Sequence, residues 1–265
     1  MEHVNSAPSR HPFGFSLSGY GLKMVGIVLM VIDHLYEMFY PFGIPLVFHM
    51  IGRACMPIFL FMAAEGFHYT RNRGKYLLRL LVGFWFMGVC NLLLGRLMPL
   101  DDVVLMNNVF GTMFLSAFYM WMIELFKSGV KDKKPRSVIL AVLGSLAPIA
   151  SSLIIITVIN SSLLLAQTAM VMLPAILLTE GGFSSVILAV LFFLLRRHGH
   201  LVQMIPLVLL SVLSAIGGGI QWMMVFAAIP LLLYNGQAGR KSKWFFYIFY
   251  PAHIYVFYIL SYFLH

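Results

Sequence analysis

A chain of 265 residues that is 61% hydrophobic and only 10% charged cannot cover a water-soluble globule, because soluble domains carry roughly 25% charged side chains. The net charge of +9 does not point to nucleic acid, since the cations fall in short clusters between apolar runs, as in loops on the cytoplasmic side of a membrane. Composition predicts an all-α, polytopic integral membrane bundle of about nine or ten transmembrane helices in contact with the lipid bilayer. Cys55 and Cys90 lie inside apolar runs without disulfide or zinc spacing, so no metal is expected.

Residues 1–20 read as a polar N-terminal arm that touches the interface through Phe13, Phe15 and Tyr20, and residues 21–265 as a single transmembrane domain. No apolar core precedes a small-residue cleavage site, so the first span is expected to direct insertion. That span covers about 21–40, and Pro41, Gly43 and Pro45 then turn the chain. The second covers about 46–69 and carries His49, Arg53, Glu65 and His68, followed by Arg71, Arg73, Lys75 and Arg79. A third span over about 76–95 leads to a loop with Asp101 and Asp102, and a fourth over about 103–126 to a second basic cluster. The fifth covers about 138–159, with Pro148 as a candidate kink.

The apolar stretch 160–181 holds Asn160, Gln167, Pro174 and Glu180 and is expected to be re-entrant, interfacial or a short hairpin. Further spans follow at about 183–195, 201–216, 220–233 and 244–264. With the N-terminus in the cytoplasm and 160–181 not crossing, the basic clusters at 71–79, 127–136, 196–197 and 240–243 all face the cytoplasm, which favours nine crossings. Ten helices remain the alternative.

Ten residues separate Lys23 from His34 on the first span. At about 1.5 Å per residue the imidazole lies roughly 16 Å above the cation, near mid-membrane if Lys23 sits at the interface. Titratable groups at that depth are costly and are functional candidates by default. His34 can take and return a proton near neutral pH. Asp33 either orients it or, pointing about 100° away, pairs with Arg53 on the second span. Arg53 and Glu65 also fit a pair that merely locks helices together, and a Glu65–Lys23 ion pair is possible by depth. His49, His68 and Glu37 read as near-interfacial. Tyr250-Pro251-Ala252-His253 on the last span places a second imidazole where it could face the cavity of His34.

The ordered set Leu22-Lys23…Ile32-Asp33-His34, Ile51-Gly52-Arg53-Ala54-Cys55-Met56-Pro57-Ile58-Phe59, Ala64-Glu65-Gly66-Phe67, Thr70-Arg71-Asn72-Arg73, Leu233-Tyr234-Asn235-Gly236 and Phe246-Tyr247-Ile248-Phe249-Tyr250-Pro251-Ala252-His253 resembles the TraX family. The middle of the chain matches mainly in hydropathy. The Lys-x10-His spacing is also similar to a motif of acyltransferase family 3 and the heparan-glucosaminide acetyltransferase group. The resemblance implies a bacterial inner-membrane protein that moves an acetyl group from acetyl-CoA to an amine or hydroxyl of a membrane-associated or extracytoplasmic acceptor, such as a pilin N-terminus or a glycan. It implies His34 as the catalytic residue with Asp33 beside it. Lys23, Arg53, Glu65, Arg71, Arg73, Lys75, Tyr250 and His253 become the expected contacts of acyl-CoA and acceptor. A proton-coupled transporter or flippase using Asp33, His34 and Glu65 as a relay is the alternative. An assembly factor whose buried polar groups only fix helix register is a third reading.

Overall fold

A computed structural model of the protein describes residues 16–265. The expected contacts of Phe13 and Phe15 lie outside these residues. The described residues form helices and no strands, and their one β-bridge joins Leu17 to Tyr234. The helices are α1 (Gly19–Phe39), α2 (Val47–Gly52), α3 (Cys55–Tyr69), α4 (Arg73–Leu97), α5 (Val109–Lys131), α6 (Pro135–Ile159), α7 (Leu163–Met172), α8 (Gly182–Leu195), α9 (His200–Ile216), α10 (Ala228–Leu232, preceded by a 3-10 helix Ile220–Ala227) and α11 (Lys243–Leu264). Among the described residues five helical stretches are long and apolar enough to cross a membrane, Arg73–Leu97 and Pro135–Ile159 included. Outward positions of α4 and α6 expose Leu78, Val82, Phe86, Leu140 and Leu143. So continuous an apolar surface suits lipid rather than water.

Local chemistry explains the helix boundaries. Ser18, Asn72 and Ser162 cap α1, α4 and α7 through side-chain oxygens that accept from Gly21, Lys75 and Leu165 N–H. The second span is broken at Arg53-Ala54. Pro57 in the first turn of α3 has no N–H to give the Arg53 carbonyl, which weakens the helix there. Pro148, by contrast, is carried inside α6.

Contacts between helix ends give the direction of each pass. Arg73 pairs with Glu124, Arg196 with Glu65, and Leu17 with Tyr234, so the start of α1 and the basic turns gather at one end. Tyr40 donates to the Asp102 carbonyl at 2.6 Å, and Phe42 meets His265 edge-on at 4.7 Å, at the other end.

Two segments depart from the expected spans. The fourth helix begins at Val109, not near 103; residues 99–108 instead run non-helically down into the bundle, with Val103, Leu105 and Asn107 buried in alternation. Asn108 Nδ2 donates to the Phe84 carbonyl, half-way along α4.

The second departure corrects the reading of 160–195. At roughly 15 Å and 21 Å, α7 and α8 are each too short to span. Gln167 accepts from Arg96 near the far end of α4, the Met172 carbonyl accepts from Trp85 at its middle, and Arg196 follows α8 at the basic end. Together, α7 and α8 form one crossing interrupted at mid-depth by residues 173–181. Non-helical backbone is tolerated at such depth where protein buries it or a cavity adjoins it. The described residues then make nine passes, with their basic clusters at one end.

Candidate functional site

The interrupted helices enclose a cavity of about 590 Å³. One face of α1 lines it from end to end through Lys23, Ile27, Met30, His34 and Glu37. Eleven residues make close to three turns, so Lys23 and His34 project in nearly the same direction. Lys23, Arg79, Tyr76 and Phe246 line the basic end; Arg53, Asn107, Gln221 and Glu180 line the deep end with His34.

His34 is buried, and its Nδ1 lies 2.7 Å from Nε2 of His253 on α11. Its Nε2 is 3.7 Å from Glu37, whose carboxylate accepts from Asn107 Nδ2 at 2.9 Å. Asp33 turns the other way. It accepts from Arg53, and from His49 at 2.8 Å, so it does not hold the His34 ring directly. The roughly 100° between neighbouring helical residues separates the two groups. Arg53 also donates to Gln221 at 3.3 Å, tying the helix break to the 3-10 segment. Gly52 allows this approach, because a Cβ there would come closer than 3.0 Å to the Asp33 side chain. Tyr250 lines the cavity, donates to Glu180 at 2.7 Å and accepts from Val109 N–H at 3.0 Å.

Several expected contacts are rearranged. Glu65 does not meet Lys23. It takes Arg196 at 2.7 Å, and Arg196 also donates to Tyr69. Equal depth says nothing about direction around a helix, and Glu65 faces the end of α8 instead of the cavity. The relay Asp33–His34–Glu65 is therefore not assembled. Arg71 and Lys75 are exposed off the cavity wall, and Arg73 is held by Glu124 and lies over the Phe67 ring. Arg79, one turn further along α4, is the arginine of that cluster that lines the cavity. His253 lies behind His34, off the wall.

Sequence reasoning passed over Glu180, Asn107 and Gln221, and assigned Glu37 and His49 to an interface. The available signal was an acid at the end of an apolar run, Glu180, followed by Gly181-Gly182. Both glycines have positive φ (73° and 70°), a conformation that favours residues without Cβ.

The charges are unevenly paired. Asp33, Glu65 and Glu124 each have an arginine partner. Among the described residues Lys23 and Arg79 have no acidic partner; Lys23 sits over the Phe246 ring at 5.2 Å, and Arg79 Nε donates to the Lys75 carbonyl at 2.9 Å. Among the same described residues Glu37 and Glu180 have no lysine or arginine partner. The cavity thus carries uncompensated cations at one end and uncompensated carboxyl groups at the other.

No curated protein and no solved structure matches the chain significantly. The family model described as TraX protein matches residues 18–261. With nearly the whole chain covered, and with a polytopic membrane-helix architecture, this protein belongs to the TraX family.

Proposed function

We propose that the protein is a membrane-embedded acyltransferase that takes an acetyl or related acyl group from acyl-CoA. The observation that carries this reading is the polarised cavity. Two cations without acidic partners among the described residues stand at one end, and a buried imidazole lies roughly 16 Å further along α1. Cations without acidic partners attract phosphate oxygens. A long, thin thioester arm can extend from them to His34 within about 590 Å³. Lys23 and Arg79 hold the phosphates, while Arg71, Arg73 and Lys75 add a longer-range field at that end. The positive-inside rule places this end in the cytoplasm and fits a bacterial inner membrane.

His34 acts as general base. It removes a proton from the acceptor's amine or hydroxyl as that atom bonds to the thioester carbonyl carbon. The C–S bond breaks, and the proton passes from His34 to the departing CoA thiolate. Arg53, fixed by Asp33, supplies positive potential near the developing oxyanion. General-base catalysis contributes about 10²–10⁴-fold, so His34→Ala is expected to lose that factor in CoA release with a competent acceptor while still binding acetyl-CoA. Full turnover by His34→Ala would refute the mechanism. Proton-coupled uptake into vesicles without CoA release would favour the transporter.

A further inference from the structure

His253 contacts His34 without reaching the cavity. Four other residues of the same stretch of α11, Phe246, Tyr247, Phe249 and Tyr250, do line it. What His253 does, it therefore does through His34.

The hydrogen positions follow from partners that can only accept. Nδ1 of His253 lies 2.8 Å from the Phe249 carbonyl oxygen, which has lone pairs and no hydrogen. That nitrogen therefore carries the proton, and in the neutral ring Nε2 is left as an acceptor. Facing it at 2.7 Å is Nδ1 of His34. Two lone pairs cannot face each other at that distance, so His34 Nδ1 is the donor. A neutral imidazole has a single N–H, which leaves the lone pair of His34 on Nε2, the nitrogen 3.7 Å from Glu37.

We infer that His253 is a positioning residue that locks His34 in its Nδ1–H tautomer and aims the Nε2 lone pair at the cavity, a role that rests on the acyltransferase reading. The packing fixes both rings. The His34 and His253 rings lie edge to edge and nearly coplanar (centroids 5.0 Å apart, planes 26°), as an N–H···N bond requires, while His253 stacks on Phe249 (5.0 Å, 18°) with Phe257 edge-on at 5.9 Å. When His34 Nε2 takes a proton, the positive ring leans through Nδ1–H on His253, and His253 leans through its own N–H on the backbone. A carboxylate plays this part in the serine hydrolase triad. Here a neutral ring does so, and the arginine-bound Asp33 is not consumed in the task.

The test uses the full-length protein in lipid nanodiscs, labelled with ¹⁵N-histidine, with the His34 signals identified by their loss in His34→Asn. The wild type is expected to show His34 protonated at Nδ1 and bare at Nε2. His253→Leu removes the acceptor. It is expected to mix the two tautomers and lower kcat at least about tenfold, with KM for acetyl-CoA unchanged. His253→Gln places an amide oxygen near the old Nε2 position and is expected to retain the tautomer and most of kcat. A wild-type His34 protonated at Nε2 overturns the inference, and so does a folded His253→Leu with an unchanged tautomer and kcat. If the leucine variant does not fold, the wild-type and glutamine spectra decide. The tautomer is read without turnover, so absence of acyl transfer in the wild type would remove the proposed reaction and leave the hydrogen-bond chain tested separately.

Discussion

Gly52→Ala tests the packing beneath the site. The added methyl would lie closer than 3.0 Å to three atoms of the Asp33 side chain. Asp33 cannot swing aside cheaply, because Arg53 and His49 both hold its carboxylate. Overpacking of this kind costs about 1–3 kcal/mol, and each charge-assisted hydrogen bond that is loosened adds about 1.5–3 kcal/mol. Against this, alanine gains at most about 1 kcal/mol over glycine in a helix. A net loss of about 2 kcal/mol or more is expected, worth several degrees in melting temperature for a chain of this size. Thermal unfolding of detergent-solubilised protein measures it, with Gly95→Ala as the control. Gly95 lies in α4 with open space where its Cβ would stand, so that variant should be neutral or more stable by up to about 1 kcal/mol. Asp33→Ala in the Gly52→Ala background should cost less than the two changes summed, since the clash then has no target. Wild-type melting and wild-type turnover in Gly52→Ala would refute the reasoning.

Arg196→Met leaves Glu65 buried without its cation and should destabilise by about 3–5 kcal/mol. Adding Glu65→Gln should recover much of that loss in the same melting assay. Lys23→Ala and Arg79→Ala should each raise KM for acyl-CoA several-fold with little change in kcat, and the wild-type KM should rise with salt while that of the double variant stays flatter. Equal KM values in all forms, measured by CoA release, would place the phosphates elsewhere.

Hydropathy alone exposed α4, α5, α6 and α11, because each is an uninterrupted apolar run of membrane length. It could not expose 99–108 or 173–181. A non-helical strip inside a bundle is as apolar as a helix, and composition carries no depth. Counting residues from the turn at Pro41–Pro45 puts Arg53 at about the depth of His34, within reach of its neighbour Asp33, and the structure pairs Arg53 with Asp33. The same arithmetic allowed Glu65 to meet Lys23 and failed, since rise along an axis leaves the angle about it free. Glu180 was visible as a lone acid but was set aside with its segment. Its bonds to Tyr250 and the Asn108 backbone join stretches roughly seventy residues apart, which no local pattern reveals.

The interruption of the α7–α8 crossing has a consequence for biogenesis. A crossing in two pieces counts once, yet neither piece offers the insertion machinery a full apolar length. The parity of everything after residue 195, including the side on which α11 starts, rests on the two halves being inserted together. Among the bonds that hold them are two to earlier helices: Leu177 N–H to Ser152 at 3.1 Å, and Thr112 to the Glu180 carbonyl at 2.7 Å. Because α11 delivers Tyr250 and His253 to His34, an error of parity near residue 180 would misplace a side chain seventy residues later and dismantle the site without touching it.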